Sequence, residues 1–180
     1  GGSGVVIARA GSATGVTFTA SPGCAGSVSH VGVGEFVARF TASGTLGVTD
    51  FSPSPITANY LVVAGGGGAG GGGGGGAGGY RSSGFGPSPL RGSALSLESG
   101  FTYDVTIGAG SQFKGSDSSF FTITSSGGGG GSNAASNPNM DGGSGGGGLC
   151  GHTGEGGLGN TPPTDPPQGN NGGESTSGAG

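Results

Sequence analysis

The chain has 180 residues, of which 52 are glycine, 29% are hydrophobic and only 8% are charged. Its net charge of −4 comes without a basic stripe to neutralise phosphates, so we expect no nucleic-acid partner. No segment reaches the roughly 18 consecutive apolar residues of a membrane-spanning helix, so we expect no membrane insertion. An ordinary apolar core would be thin here, because each ordered residue costs about 1–2 kcal/mol of backbone entropy.

The first third of the chain contains short runs in which apolar and polar side chains alternate. The strand candidates lie at residues 5–7, 16–19, 36–41 and 45–49, and proline and glycine separate them. No window shows apolar residues at helical spacing, so essentially no helix is expected. We therefore predict a small antiparallel, all-β N-terminal module over residues 1–59.

Residues 60–180 are expected to form a second, glycine-rich domain. An apolar run at 60–64 leads into the tract 65–79, which only Ala69 and Ala77 interrupt. Further strand candidates, which we expect to form short β-hairpins, lie at 95–97, 101–107 and 118–124. Shorter glycine clusters follow at 127–131, 142–148, 154–159 and 169–173.

Glycine at nearly every position of a long tract has a specific structural meaning. A polyproline-II (PPII) strand has three residues per turn, and collagen needs glycine only at every third position because one face meets the crowded axis. Glycine on all three faces permits neighbours on three sides, which predicts a bundle of packed polyglycine-II strands. A flexible linker and a β-strand are the alternatives, although long glycine runs make weak strands. Ala69 and Ala77 are eight residues apart and must point to different faces of such a strand.

The order of motifs resembles the glycine-rich domain of bacteriophage tail fibre and appendage proteins. The resemblance covers roughly residues 36–180 and is carried by the segments 60–68 (YLVVAGGGG), 78–81 (GGYR), 103–110 (YDVTIGAG), 115–120 (GSDSSF) with 127–131, and 142–148 (GGSGGGG). The layout is also similar in principle to the polyglycine-II sandwich of the receptor-binding tip adhesins of T-even-like phages.

The resemblance implies an extracellular virion protein of a tail fibre or similar appendage that attaches to a bacterial surface receptor. It implies a homotrimer that contacts other virion proteins and a host surface glycan or outer-membrane protein, with the loops at one end of the bundle as the recognition surface. The alternative is a purely structural capsid-associated or secreted cell-surface glycine-rich protein without receptor binding. The amino end lacks an initiator methionine, so we expect the numbered chain to be part of a longer one.

The inventory of reactive side chains does not favour an enzyme. Two histidines and nine acidic residues are scattered along the chain, and Cys150 with His152 supplies only two of the four ligands that a structural zinc site needs. We therefore expect no catalytic site, metal or cofactor. Cys24 and Cys150 could pair in an oxidising compartment, and the sequence leaves this open.

Six residues beside glycine-rich turns or in the polar connector at 132–141 are candidates for receptor binding: Tyr80, Arg81, Phe85, Phe113, Asn137 and Asn139. The aromatic residues could stack on sugar rings, or cap the ends of the glycine bundle. The arginine could bind anionic sugars or pair with a carboxylate, and the asparagines could be solvated turn residues.

Overall fold

A computed structural model describes residues 1–11, 17–21, 26–30, 34–49, 55–132, 139–149 and 154–175. These residues form twelve β-strands and no helix, which confirms the all-β prediction. The strands are β1 (Val5–Gly11), β2 (Thr17–Ala20), β3 (Gly26–His30), β4 (Glu35–Phe40), β5 (Gly44–Thr49), β6 (Ile56–Val63), β7 (Tyr80–Ser83), β8 (Arg91–Gly92), β9 (Leu95–Leu97), β10 (Thr102–Thr106), β11 (Ser118–Phe120) and β12 (Ile123–Ser125).

Within the described ranges the strands form two sheets. The larger sheet has the order β3-β4-β1-β6-β7-β8, and β9 pairs with the first residues of β6. Its pairs are antiparallel except β7 with β8, which is parallel. The smaller sheet has the order β12-β11-β10-β5-β2, with every pair antiparallel.

The apolar core lies between the inner faces of the two sheets. Side chains alternate between the faces of a strand, and β1, β4 and β6 all show a buried residue at every second position. The predicted alternation at residues 36, 38 and 40 is confirmed, because these three side chains are buried. Phe40 of the larger sheet and Phe120 of the smaller sheet belong to the same apolar cluster and are fully buried.

The structure differs from the sequence prediction at several strands. The segment 118–124 is two strands, β11 and β12, because Phe121 turns the chain with a φ of 51°. Strands β3, β7 and β8 lie where no strand was expected. Strand β6 spans the predicted domain boundary between residues 59 and 60, and each sheet contains strands from both sides of that boundary. The division into 1–59 and 60–180 stays a prediction.

The rest of the described chain consists mainly of glycine segments, which we define as residues 1–4, 64–79, 107–117, 126–132, 139–149 and 154–175. They bond to one another through peptide groups. Four successive N–H groups of the long tract donate to three different neighbours: Gly65 to Ser116, Gly66 to Gly2, Gly67 to Gly76 and Gly68 to Phe113, at 2.9–3.0 Å. A β-strand, in contrast, bonds to neighbours on two sides.

Many pairs of hydrogen-bond donors three residues apart use the same neighbouring segment, although some pairs, such as Gly143 and Gly146, do not. Gly65 and Gly68, for example, both donate to segment 107–117. Other such donor pairs, each followed by its acceptors, are Gly128 and Gly131 (Gly65 and Gly68), Gly76 and Gly79 (Gly129 and Ser126), Ser144 and Gly147 (Ala77 and Gly74), and Gly145 and Gly148 (Asn170 and Gly173). The glycine segments therefore share a three-residue repeat of hydrogen-bond partners.

This close approach of backbones leaves room for a methyl group at few positions. A Cβ added to Gly67 would overlap the carbonyl oxygen of Gly129. A Cβ on Gly74 would meet no atom within 4 Å, and one on Gly66 would meet none closer than 3.6 Å. The tract's two alanines each lie three residues after a glycine that has space for a methyl group, Ala69 after Gly66 and Ala77 after Gly74. The three-residue repeat thus accounts for where alanine is found.

Candidate functional site

Two turns and the residue Gly1 meet at the end of the glycine segments that lies away from the sheets. Segment 64–79 leaves β6, reverses at residues 70–73 and returns to β7, and Gly70 and Gly73 exchange hydrogen bonds at this turn. Segment 107–117 leaves β10 and returns to β11 in the same way. The backbone nitrogen of Gly1 donates to the Ser111 carbonyl at 3.0 Å. We call residues 69–73, 111–114 and Gly1 the loop end.

Phe113 is an exposed aromatic side chain of the loop end. It is 58% exposed, and its backbone is fixed because its carbonyl accepts from Gly68 and its N–H donates to the Ser111 hydroxyl at 3.0 Å. Beside it is a recess of about 390 Å³ that Gln112, Gly71 and Gly131 help to line. The loop end thus presents an aromatic ring beside exposed peptide groups.

Asn139 lies close to Phe113 in the fold. The Gly130 N–H donates to the Asn139 carbonyl at 2.8 Å, and a Cβ on Gly130 would lie 3.0 Å from the Phe113 carbonyl carbon. Two of the predicted residues therefore flank the same glycine. Asn137 lies outside the described residues.

Tyr80 and Phe85 lie together at a different place, on the outer face of the larger sheet. They line an apolar groove of about 260 Å³, with Ile7 and Arg9 of β1 and Asn59 and Leu61 of β6; we call it the Phe85 groove. β1 and β6 pair so that Ile7 is opposite Leu61 and Arg9 is opposite Asn59. The groove therefore depends on the strand register and on the turn that follows β7.

A tight turn and a cation hold Phe85 in position. The Phe85 N–H donates to the Ser83 carbonyl at 2.9 Å, and Gly84 adopts a φ of 75°. The Arg9 guanidinium carbon lies 4.8 Å from the centre of the Phe85 ring, a cation–π distance, and Arg9 pairs with Glu35 at 2.5 Å. One face of the ring is therefore occupied, while Phe85 is still 55% exposed.

Arg81 lies on the opposite face of β7 from this groove. It is paired in register with the buried Val62, and its Nη1 donates to the Thr124 carbonyl at 3.3 Å. Burial raises the pKa of the Tyr60 phenol, and the positive charge of Arg81 offsets part of that rise. Arg81 therefore faces the smaller sheet instead of joining Tyr80 and Phe85.

The five predicted residues that the structure describes do not form one site. Phe113 belongs to the loop end and Asn139 adjoins it, Tyr80 and Phe85 share a groove, and Arg81 lies apart. Sequence analysis missed Arg9, which contacts Phe85. Its outward position follows from the alternation of β1, but its neighbour in the fold depends on pairing with β6.

The described residues contain no group of three or more His, Cys, Asp or Glu residues that could hold a metal ion. They also contain no helix long and apolar enough to cross a membrane. Cys24, Cys150 and His152 lie outside the described residues. Comparison with protein families, curated proteins and solved structures found no match to this chain.

Proposed function

We propose that the glycine segments form a polyglycine-II bundle. A strand of this kind has three residues per turn and about 3.1 Å rise per residue, so its N–H groups point in three directions in succession. The three-residue repeat of hydrogen-bond partners supports this assignment. So does the overlap that a Cβ would make with a neighbouring carbonyl at Gly65, Gly67 and Gly76.

The chain is, in our proposal, a bacteriophage virion protein of a tail fibre or similar appendage that attaches to a bacterial surface receptor. The observation that carries this proposal is the three-residue repeat. A rod held together by its own peptide groups can end in loops whose side chains take no part in the packing. Such loops can change in sequence without loss of the scaffold, which suits a surface that must match a receptor.

The loop end is the proposed contact surface. Binding sites are often placed on loops that a rigid scaffold positions, and aromatic residues are enriched where a few side chains supply most of the binding energy. Phe113 fits this description because its backbone is fixed while its ring is mostly exposed. The backbones of Asn139 and Phe113 both lie beside Gly130.

The proposed partners are other copies of the chain in a trimer, further virion proteins, and a host surface glycan or outer-membrane protein. The proposed location is the extracellular virion, and no catalytic role is proposed. The alternative is a structural protein of a capsid or cell surface without a receptor. It shares the same bundle and differs only in whether the loop end binds cells.

Binding of the labelled, purified chain to a panel of Gram-negative strains tests the proposal. We expect saturable binding to at least one strain, and about tenfold weaker binding for Phe113→Ala, the loss typical of an aromatic contact residue. Phe101→Ala is the matched control, because Phe101 is also 58% exposed but precedes β10 at the sheet end. Equal effects of both substitutions would exclude the loop end. Binding to virion proteins but to no strain would favour the structural alternative.

A further inference from the structure

A second cleft lies where the glycine segments meet the sheets, on the other side of Tyr80 from the Phe85 groove. It has a volume of about 260 Å³, and its walls include Tyr80, Leu90, Pro167, Asn170, Ser144 and Gly78. We call it the Tyr80 cleft. It combines the first residue of β7 with the proline-rich connector at 160–168.

The walls of the Tyr80 cleft are of two chemical kinds. The Tyr80 ring, Leu90 and Pro167 form an apolar side, and Tyr80 and Leu90 are each 40% exposed. The Asn170 amide, the Ser144 hydroxyl and the Gly78 peptide group supply polar atoms. Among the described residues, neither the N–H nor the carbonyl of Gly78 has a backbone partner. None of the residues that line the cleft carries a charge.

Gln168 holds the two sides of the cleft in place. Its side chain is only 2% exposed; Oε1 accepts from the Ser126 N–H at 2.7 Å, and Nε2 donates to the Pro162 carbonyl at 2.9 Å. Its own carbonyl accepts from the Tyr80 N–H at 2.8 Å. Tyr80 and the connector are thus hydrogen-bonded to the same residue. The backbone on both sides of the cleft is therefore already fixed, so binding a ligand costs little conformational entropy.

The connector itself is fixed by Asn160. The Asn160 Oδ1 accepts from the Thr164 N–H and hydroxyl, each at 3.0 Å, and from the Gln168 N–H at 3.2 Å. Asn160 has a φ of 52°, a conformation that asparagine tolerates better than most residues. These hydrogen bonds and the prolines of the connector fix the side of the cleft that the connector forms.

We propose that the Tyr80 cleft binds one neutral pyranose ring of a glycan. The apolar face of the sugar packs on Tyr80, with Leu90 and Pro167 at its edge. The hydroxyl groups bond to the Asn170 amide, the Ser144 hydroxyl and the Gly78 peptide group. A small site of apolar surface with a few placed polar groups suits such a ligand, and the absence of charge among the lining residues disfavours an acidic sugar. This inference goes beyond the proposed function, because the Tyr80 cleft shares no residue with the loop end and adds a glycan site to it.

The experiment is a titration of the full chain with the methyl glycosides of glucose, galactose, mannose and N-acetylglucosamine, followed by ligand-observed NMR. At least one should bind saturably at millimolar concentration. Tyr80→Ala and Asn170→Ala should each weaken it by about tenfold, the loss of one good contact. Tyr80→Phe, which keeps the ring, and Phe85→Ala, which removes a side chain that does not line the Tyr80 cleft, should bind as the unchanged chain does.

Several results would contradict the proposed glycan site. No saturable binding of any neutral glycoside, tighter binding of methyl glucuronide, or an equal loss in Phe85→Ala would each overturn the inference. Cell binding through Phe113 without glycoside binding would leave the attachment function in place and overturn only the glycan site in the Tyr80 cleft. Glycoside binding without binding to any strain would contradict the attachment function alone.

Discussion

The two sheets and the glycine segments keep their interiors free of water in opposite ways. Between the sheets, large side chains such as Phe40 and Phe120 fill the space. In the glycine segments the space is closed mainly by bringing peptide groups together, and few large side chains, such as Gln168 and Met140, are buried there. The first interior is stabilised mainly by burial of apolar area and the second by backbone hydrogen bonds. A chain with only 29% hydrophobic residues can therefore still be ordered over most of its length.

The difference predicts opposite responses to changes in side-chain size. The sheet interior should lose stability when atoms are removed, because a cavity remains. The glycine interior should lose stability when atoms are added, because backbones are forced apart. Both effects are measurable as changes in the free energy of unfolding.

Removal of a large core side chain should have the largest effect. Phe40 is fully buried in β4, so Phe40→Ala should lower the free energy of unfolding by about 3–5 kcal/mol, the usual range for this change. Urea unfolding followed by circular dichroism gives the value. Phe101→Ala, at an exposed position, should change it by less than about 0.5 kcal/mol. A small loss for Phe40→Ala would mean that the sheets contribute little to the stability of the whole.

Addition of one methyl group to the glycine interior should have the next largest effect. Gly67→Ala should cost about 1–3 kcal/mol or more, since its Cβ would overlap the Gly129 carbonyl oxygen. Gly74→Ala is the matched control in the same tract. It has open space and no left-handed φ, so it should be neutral or stabilise by about 0.4–1 kcal/mol.

The same urea experiment separates the interpretations of the tract. A disordered tract would tolerate both alanines equally, because neither would meet a neighbour. In a β-strand successive residues point to opposite faces, so alanine would be tolerated at every second position of the tract. Tolerance at Gly66 and Gly74, with loss at Gly67 and Gly76, is the result expected from the three-residue repeat.

Sequence alone predicted the parts of this fold that depend on local alternation. The burial of residues 36, 38 and 40 follows directly from their period of two. The break at Phe121 could not be predicted, because a phenylalanine with positive φ is rare and is imposed by its surroundings. Strand β7 was missed because its sequence, YRSS, has no apolar alternation.

The candidate site was predictable only in part for a related reason. The glycine-rich surroundings of Phe85 and Phe113 left open whether their rings are exposed or cap the glycine bundle, and the structure shows both as more than half exposed. The separation of Tyr80 from Arg81 follows from strand geometry, but only once β7 is known. The contact of Arg9 with Phe85, and the place of the connector 160–168 beside Tyr80, depend on pairings between residues far apart in the chain.

The smallest expected effect concerns alkaline pH and again distinguishes the two regions. Burial between the sheets raises the pKa of Tyr60 above its ordinary value of 10.0. The unfolded chain therefore releases this proton more readily, so stability is fully present below about pH 10 and falls as the pH rises above it. The peptide groups that join the glycine segments do not ionise in this range.

Tyr60→Phe removes the ionisable group. Above about pH 10 the free energy of unfolding of this variant should therefore fall less than that of the unchanged chain. Urea unfolding at a series of pH values from about 8 to 11 measures it. Arg81→Gln should act in the opposite direction, because the Arg81 charge lowers the Tyr60 pKa and its loss enlarges the alkaline fall. Parallel curves for all three chains would show that the Tyr60 phenol is accessible to solvent. The inner face of β6 would then be less tightly closed than the burial of its neighbours requires.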